Sequence, residues 1–137
     1  MADCVFCRIF TNEIPACMVY EDEHTFAFMD LGQVNPGHVL VATKKHVENV
    51  FGLDDDLAAA VFRTAARIAR ASSKAFDAPG LNLFQANGKA GGQTVFHFHL
   101  HVLPRREDDG MHLAWPVKNP SRETLQGYSE KIRKALR

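Results

Sequence analysis

The stretch Val95-Phe96-His97-Phe98-His99-Leu100-His101-Val102 constrains this chain more than any other. Apolar residues and histidines alternate, which is the period of a strand buried on one side. The spacing predicts a strand over 95–102 with His97, His99 and His101 on one face. Phe98, Leu100 and Val102 lie on the other. That apolar side belongs on a core, so the imidazoles face a cleft or solvent. A lone histidine is ordinarily a hydrogen-bonded core or surface residue. Three in register point to acid–base work or metal ligation near neutral pH. A strand rises about 3.3 Å per residue, so the outer two Cα atoms would lie roughly 13 Å apart. Zinc holds nitrogen at about 2 Å. One ion shared by all three is disfavoured, and the histidines divide their labour.

The 137 residues suffice for one domain with a proper core. We expect a single domain over 1–137, with its core at about 3–104 and a tail and C-terminal helix over 105–137. Lys plus Arg and Asp plus Glu both number 16, so the formal net charge is zero. That balance argues against bulk nucleic-acid binding or an anionic membrane partner. No apolar run is long enough to span a bilayer. Met1-Ala2-Asp3-Cys4 lacks the basic-then-apolar order of a signal peptide, which predicts a cytoplasmic protein. Three cysteines read as thiols or metal ligands and not as a disulfide framework.

Taken in order, Cys4-Val5-Phe6-Cys7 is a C-x-x-C that serves half a zinc site, a redox pair or nothing. The few residues before it disfavour the redox reading, which wants a preceding strand. Cys17 is expected to be a small buried hydrophobe. Residues 18–20 and 25–29 read as a hairpin around a charged turn in which His24 is solvated. Asp30 at the strand end suits a turn, or a sugar hydroxyl. Asn35-Pro36-Gly37 turns the chain into a largely apolar strand over 38–42 that His38 opens, a central one by its pattern. Asp54, Asp55 and Asp56 precede a helix reaching about Phe76, with Leu57, Val61, Ala65, Ile68 and Phe76 on its apolar face. Arg63, Arg67, Arg70 and Lys74 form a solvated stripe. Residues 81–86 are a fourth strand. Residues 87–94 form a glycine-rich hairpin loop whose backbone amides and polar side chains suit a phosphate. A last helix, capped near Asn119 or Ser121, presents Leu125, Tyr128, Ile132 and Leu136 on one face. The order β-β-β-α-β-β-tail-α argues an α+β protein: a five-stranded antiparallel sheet with helices against it.

The run from Gln93 to Val102 resembles the histidine triad family, whose motif His-φ-His-φ-His-φ-φ reads here as His97 to Leu103. The similarity extends through Asn87, Lys44-Lys45-His46, Pro36-Gly37-His38, Asp30 and Cys4-x-x-Cys7, and covers most of residues 3–104. The chain is most similar to the bacterial Hint-like branch. The resemblance implies a HIT-like α+β fold and a homodimer whose sheets join. It also implies release of a nucleoside monophosphate, AMP or GMP, from phosphoramidates, acyl adenylates or dinucleoside polyphosphates. Carried over residue by residue, His99 is the nucleophile. His38, His101 and Asn87 donate to the α-phosphate, and Gln93 and Thr94 sit beside the phosphate and leaving atom. Thr94 stands where close relatives have serine. Asp30 holds the ribose, and Phe6, Ile9, Phe28 and Leu31 form the base pocket. In zinc-carrying relatives the ligands correspond to Cys4, Cys7, His46 and His97, a closed structural set. No organic cofactor is implied. Trp115, in Met111-His112-Leu113-Ala114-Trp115-Pro116, either covers a core edge or reaches the partner's active-site rim. The competing reading is a nucleotide-binding regulatory module with vestigial catalysis. A metal-dependent enzyme is disfavoured by the strand geometry.

Overall fold

The computed structural model describes residues 3–137. Its elements are α1 (Val5–Phe10), β1 (Met18–Glu21), β2 (Thr25–Met29), β3 (Val39–Thr43), α2 (Asp55–Phe76), β4 (Gly80–Phe84), β5 (His99–Arg105) and α3 (Arg122–Ala135). The strands form one antiparallel sheet in the order β1-β2-β3-β5-β4. β3 lies at the centre and is buried along its whole length, as its apolar run requires.

The sheet has two unlike faces. Ala27, Val39, Val41, Leu100 and Val102 point to one, where α2 covers them with Leu57, Val61, Ala65 and Ile68. These helix positions recur at three- and four-residue spacing, the stripe an amphipathic helix buries. Asp54 caps the helix by accepting a hydrogen bond from the Leu57 amide at 2.8 Å. Phe26, Phe28, Leu40 and Ala42 point to the other face, where Phe6 of α1 seals them. His99 and His101 share that second face, because in register they pair with Ala42 and Leu40.

Several expectations need correction. β5 begins at His99, not Val95. β3 ends at Thr43, level with Phe98, and the Phe98 amide bonds instead to the Val47 carbonyl at 2.6 Å, so residues 95–98 leave the sheet ladder. The alternation survives: Phe98 is buried in the α2 core while His97 is buried on the opposite side. β5 also runs on to Arg105, because β4 continues beside it. Cys17 is exposed, since it precedes the edge strand β1. Phe76, at the helix end, is 40% exposed. The helices do not all lie against the sheet. Proline-broken residues 106–121 carry α3 away from it, and Leu125, Tyr128, Ile132 and Leu136 stay exposed. The helix α1 carries no apolar repeat long enough to be recognised from its six residues.

Candidate functional site

Three neighbouring strand ends build the cleft. Asp30 follows β2, His38 precedes β3, and His99 and His101 lie on β5. The turn between the first two is laced by Gln33. Its amide nitrogen donates to the carbonyls of Asp30 (2.5 Å) and His38 (2.7 Å). Its oxygen accepts from the amides of Gly37 and His38 at 3.1 and 3.0 Å. Gly37 adopts φ +94°, a conformation that side chains disfavour. Its Cα lies so close to α2 that an added Cβ would meet the Phe76 ring at 2.5 Å. Ser72 then donates to the Gly37 carbonyl at 2.8 Å, tying helix to turn.

The hydrogen bonds settle the tautomers. His99 Nδ1 donates to the His97 carbonyl at 2.7 Å, which leaves the lone pair on Nε2. The Val34 amide lies 3.4 Å from His38 Nδ1, so His38 carries its proton on Nε2 and donates to His101 Nδ1 at 2.8 Å. His101 then carries its proton on Nε2. Asp30 Oδ2 lies 3.4 Å from His38 Nε2 and 3.7 Å from His101 Nδ1. The rings of His99 and His101 are 5.3 Å apart, and Phe6 stands edge-on to His99 at 4.9 Å.

Burial keeps these imidazoles neutral. It pushes His99 below the ordinary histidine range, against the opposing pull of its carbonyl partner and Asp30. Burial, with repulsion from His99 and His38, lowers His101 to about 4. His38 is lowered by burial, and Asp30 partly restores it.

His97 faces a second cluster. Its Nε2 donates to the Thr43 carbonyl at 2.7 Å, so Nδ1 is the free ligand atom. That atom lies 3.2 Å from Cys4 Sγ and 3.6 Å from Cys7 Sγ, and Cys7 Sγ lies 3.4 Å from His46 Nδ1. All four ligand atoms fall within 4.8 Å of one another. Tetrahedral zinc, with sulfur at about 2.3 Å and nitrogen at about 2.0 Å, would set such S···N edges near 3.5 Å. The donor set therefore fits zinc, and the Thr43 carbonyl supplies the outer contact such a histidine needs. Burial and the neighbouring Cys4 sulfur push the Cys7 thiol above its ordinary range, a crowding that a cation would relieve.

The remaining expected residues fall in varied places. Phe28 and Phe6 are buried edge-to-face at 5.3 Å, with Ile9 packed beside them. Leu31 is 99% exposed in the turn beyond Asp30. Asn87 accepts from the Val50 amide at 2.8 Å and pairs with Gln85. Gln93 is buried, and its amide is spent on the Glu48 and Val95 carbonyls and the Gly88 amide. Thr94 is exposed in the same loop, and Trp115 stands 75% exposed in the arm before α3. Sequence reasoning missed Gln33, because a glutamine within a short polar turn gives no pattern.

Fold and site together define a small α+β protein with a histidine cluster on the sheet face away from its long helix. The HIT domain model matches residues 11–108, and the chain belongs to that family. It is 43% identical to "Protein hit" of Bacillus subtilis over 137 residues, which span 98% of this chain and 94% of that one. The fold matches SMU.412c of Streptococcus mutans with a TM-score of 0.95 and 40% identity, over all of this chain and 87% of that one. Two further likenesses bear on chemistry. The adenosine 5'-monophosphoramidase HNT1 of Saccharomyces cerevisiae is 31% identical over 90% of this chain and 77% of its own. A zinc-bound histidine triad protein of Mycobacterium smegmatis is 34% identical with a TM-score of 0.77, over 98% of each chain.

Proposed function

We propose that this protein is a nucleotidyl hydrolase that releases a nucleoside monophosphate from phosphoramidates or related nucleotide conjugates through a covalent intermediate on His99. The observation that carries the reading is the fixed tautomer of His99. Its Nδ1–H is bound to a backbone carbonyl, and a neutral Nε2 is held beside the His38–His101 pair. A neutral imidazole with a directed lone pair is a competent nucleophile, and it is a good leaving group once bonded to phosphorus. The relationship to a named adenosine monophosphoramidase supports the substrate class.

In the first step His99 Nε2 bonds to the α-phosphorus, the bond to the leaving nitrogen or oxygen breaks, and that atom takes up a proton from solvent. In the second step water adds to phosphorus and Nε2 leaves. The proton given up by the water replaces the one removed with the leaving group. His101 Nε2–H donates to a phosphoryl oxygen, and each such donor is worth about 10²–10³ in kcat. His38 reaches the phosphate through His101, whose tautomer it holds. Asp30 takes the ribose hydroxyls, and Phe6, Ile9 and Phe28 provide apolar surface for the base, with Leu31 at its outer rim. Asn87 and Gln93 hold the loop that carries Thr94, and through it shape the leaving-group side.

Zinc on Cys4, Cys7, His46 and His97 would be structural. Phe6, between Cys4 and Cys7 in sequence, lies against both His97 and His99, so the ion would fix α1 against the catalytic histidine. A homodimer meeting along β4, an edge strand with Leu83 and Phe84 exposed, is supported by that uncovered edge. Sedimentation of the intact protein tests it.

Turnover of adenosine phosphoramidate, with alkaline quenching to trap the adduct, tests the mechanism. His99→Gly should lose at least about three orders of magnitude in kcat while still binding AMP. Substantial activity in that variant would sink the assignment. Tight AMP binding with no turnover by the wild type would favour the regulatory reading.

A further inference from the structure

The cleft contains a second set of ligand atoms, distinct from the thiol cluster. Asp30 Oδ2, His38 Nε2 and His101 Nδ1 lie within 4.8 Å of one another. Their separations are 2.8, 3.4 and 3.7 Å. An ion with nitrogen and oxygen ligands at about 2.0 Å in tetrahedral array sets its edges near 3.3 Å, between these values. Asp30 lies just past the end of β2, His38 just before β3 and His101 within β5, and the register of these adjacent strands brings them together, Met29 opposite Val39 and Leu40 opposite His101. The His38 side chain is 5% exposed, and those of Asp30 and His101 are 23% and 25% exposed, so the group is walled on one side and open on the other. The open side leaves a coordination position for water or an anion. One carboxylate and two imidazoles suit zinc, cobalt, nickel or copper, whereas magnesium and calcium prefer oxygen throughout.

We propose that Asp30, His38 and His101 form a second cation site for a divalent first-row transition ion, and that the ion blocks the cleft. The blocking rests on the function proposed above; the site itself does not. On binding, the His38 proton moves from Nε2 to Nδ1, and the long Val34 contact is given up. No proton is released, and both imidazoles coordinate in the neutral form. Asp30 supplies the single negative charge that draws the cation.

Cobalt(II) added to protein already carrying one equivalent of zinc tests this. We expect one further equivalent, seen as visible d–d absorption without the near-ultraviolet band of a cobalt–thiolate bond. Asp30→Asn and His101→Gln should each weaken it at least tenfold. His24→Ala, which removes an exposed histidine elsewhere, should leave it within twofold. Circular dichroism and thermal melting of each variant show that the fold is kept. Absence of the second equivalent, a thiolate band on it, or wild-type affinity in either cleft variant would overturn the site. AMP should raise the apparent dissociation constant for cobalt in proportion to its concentration. Cobalt bound by these residues but indifferent to AMP would overturn the blocking alone, and turnover of the phosphoramidate judges the proposed function separately.

Discussion

His99 and His101 differ by one hydrogen bond, and that difference sets their chemistry. His99 donates from Nδ1 to a carbonyl, whereas His101 accepts at Nδ1 from His38. Both are pushed down by burial, His101 to about 4. A histidine depressed in the folded state stays neutral to lower pH than a free one. The working form is therefore retained as pH falls through 6.5 and is lost only below it. We expect kcat/KM to be flat between pH 7 and 8 and its acid limb to lie below the ordinary histidine range. The limb belongs to the coupled group of histidines and not to one ring. A pH profile checks this, and an acid midpoint at or above about 6.5 would contradict it. The same shift makes the unfolded chain bind more protons between pH 6.5 and 4, so stability should fall as pH drops through that window. Trp115 also belongs at this scale. It is exposed on the arm, so Trp115→Ala should alter selectivity between bulky and small leaving groups more than the rate with a small one. Specificity constants for the two substrates in both proteins test that, and equal fractional losses would return it to a structural role.

At the scale of elements, the turn from Asp30 to His38 bears the most constraint. Gln33 laces it and Ser72 ties it to α2. Gly37 combines a positive φ with near-contact to Phe76. Gly37→Ala should therefore cost roughly 2–4 kcal/mol, the left-handed penalty plus overpacking of the helix end. Because His38 is the next residue, activity should fall as well. Urea unfolding and turnover measure the two effects. Stability within about 0.5 kcal/mol of wild type would show that the helix end yields. The hairpin of β1 and β2 is held differently. Asp22 accepts from the His24 and Thr25 amides and from the Thr25 hydroxyl, and the Thr64 hydroxyl of α2 adds a bond at 3.2 Å. Burial would raise this carboxyl, but the bonds from the His24 and Thr25 amides and from the Thr25 and Tyr20 hydroxyls outweigh it and bring it down to about 2.

For the whole molecule, the thiol cluster ties residue 4 to residue 97 across the sheet. If zinc occupies it, protein prepared without added metal and without a polyhistidine tag should carry about one zinc per chain. Cys4→Ser, or chelation, should lower Tm by roughly 5–10 °C, as a loss of about 2 kcal/mol would, and reduce the rate at low temperature far less. Metal analysis and calorimetry decide; a folded, metal-free wild type would refute the site. Among the described residues no helix is long and apolar enough to cross a membrane.

Alternation along residues 95–102 determined which side chains share a face, because a strand's period is two whatever surrounds it. Apolar spacing from Leu57 to Ile68 likewise determined α2, and an aspartate before it marked its start. Family membership was legible in the histidine motif. Tertiary structure decided where β5 begins, since a strand lasts only while a neighbour pairs with it, and β3 stops at Thr43. It decided which way His97 and His101 hold their protons, because the Thr43 carbonyl and the His38 ring, both distant in sequence, select those tautomers. It brought Cys4, Cys7, His46 and His97 within reach of one ion, a convergence no spacing along the chain can establish. It also left α3 uncovered. Its amphipathic pattern promised a buried face, but what a helix packs against depends on where the preceding arm carries it.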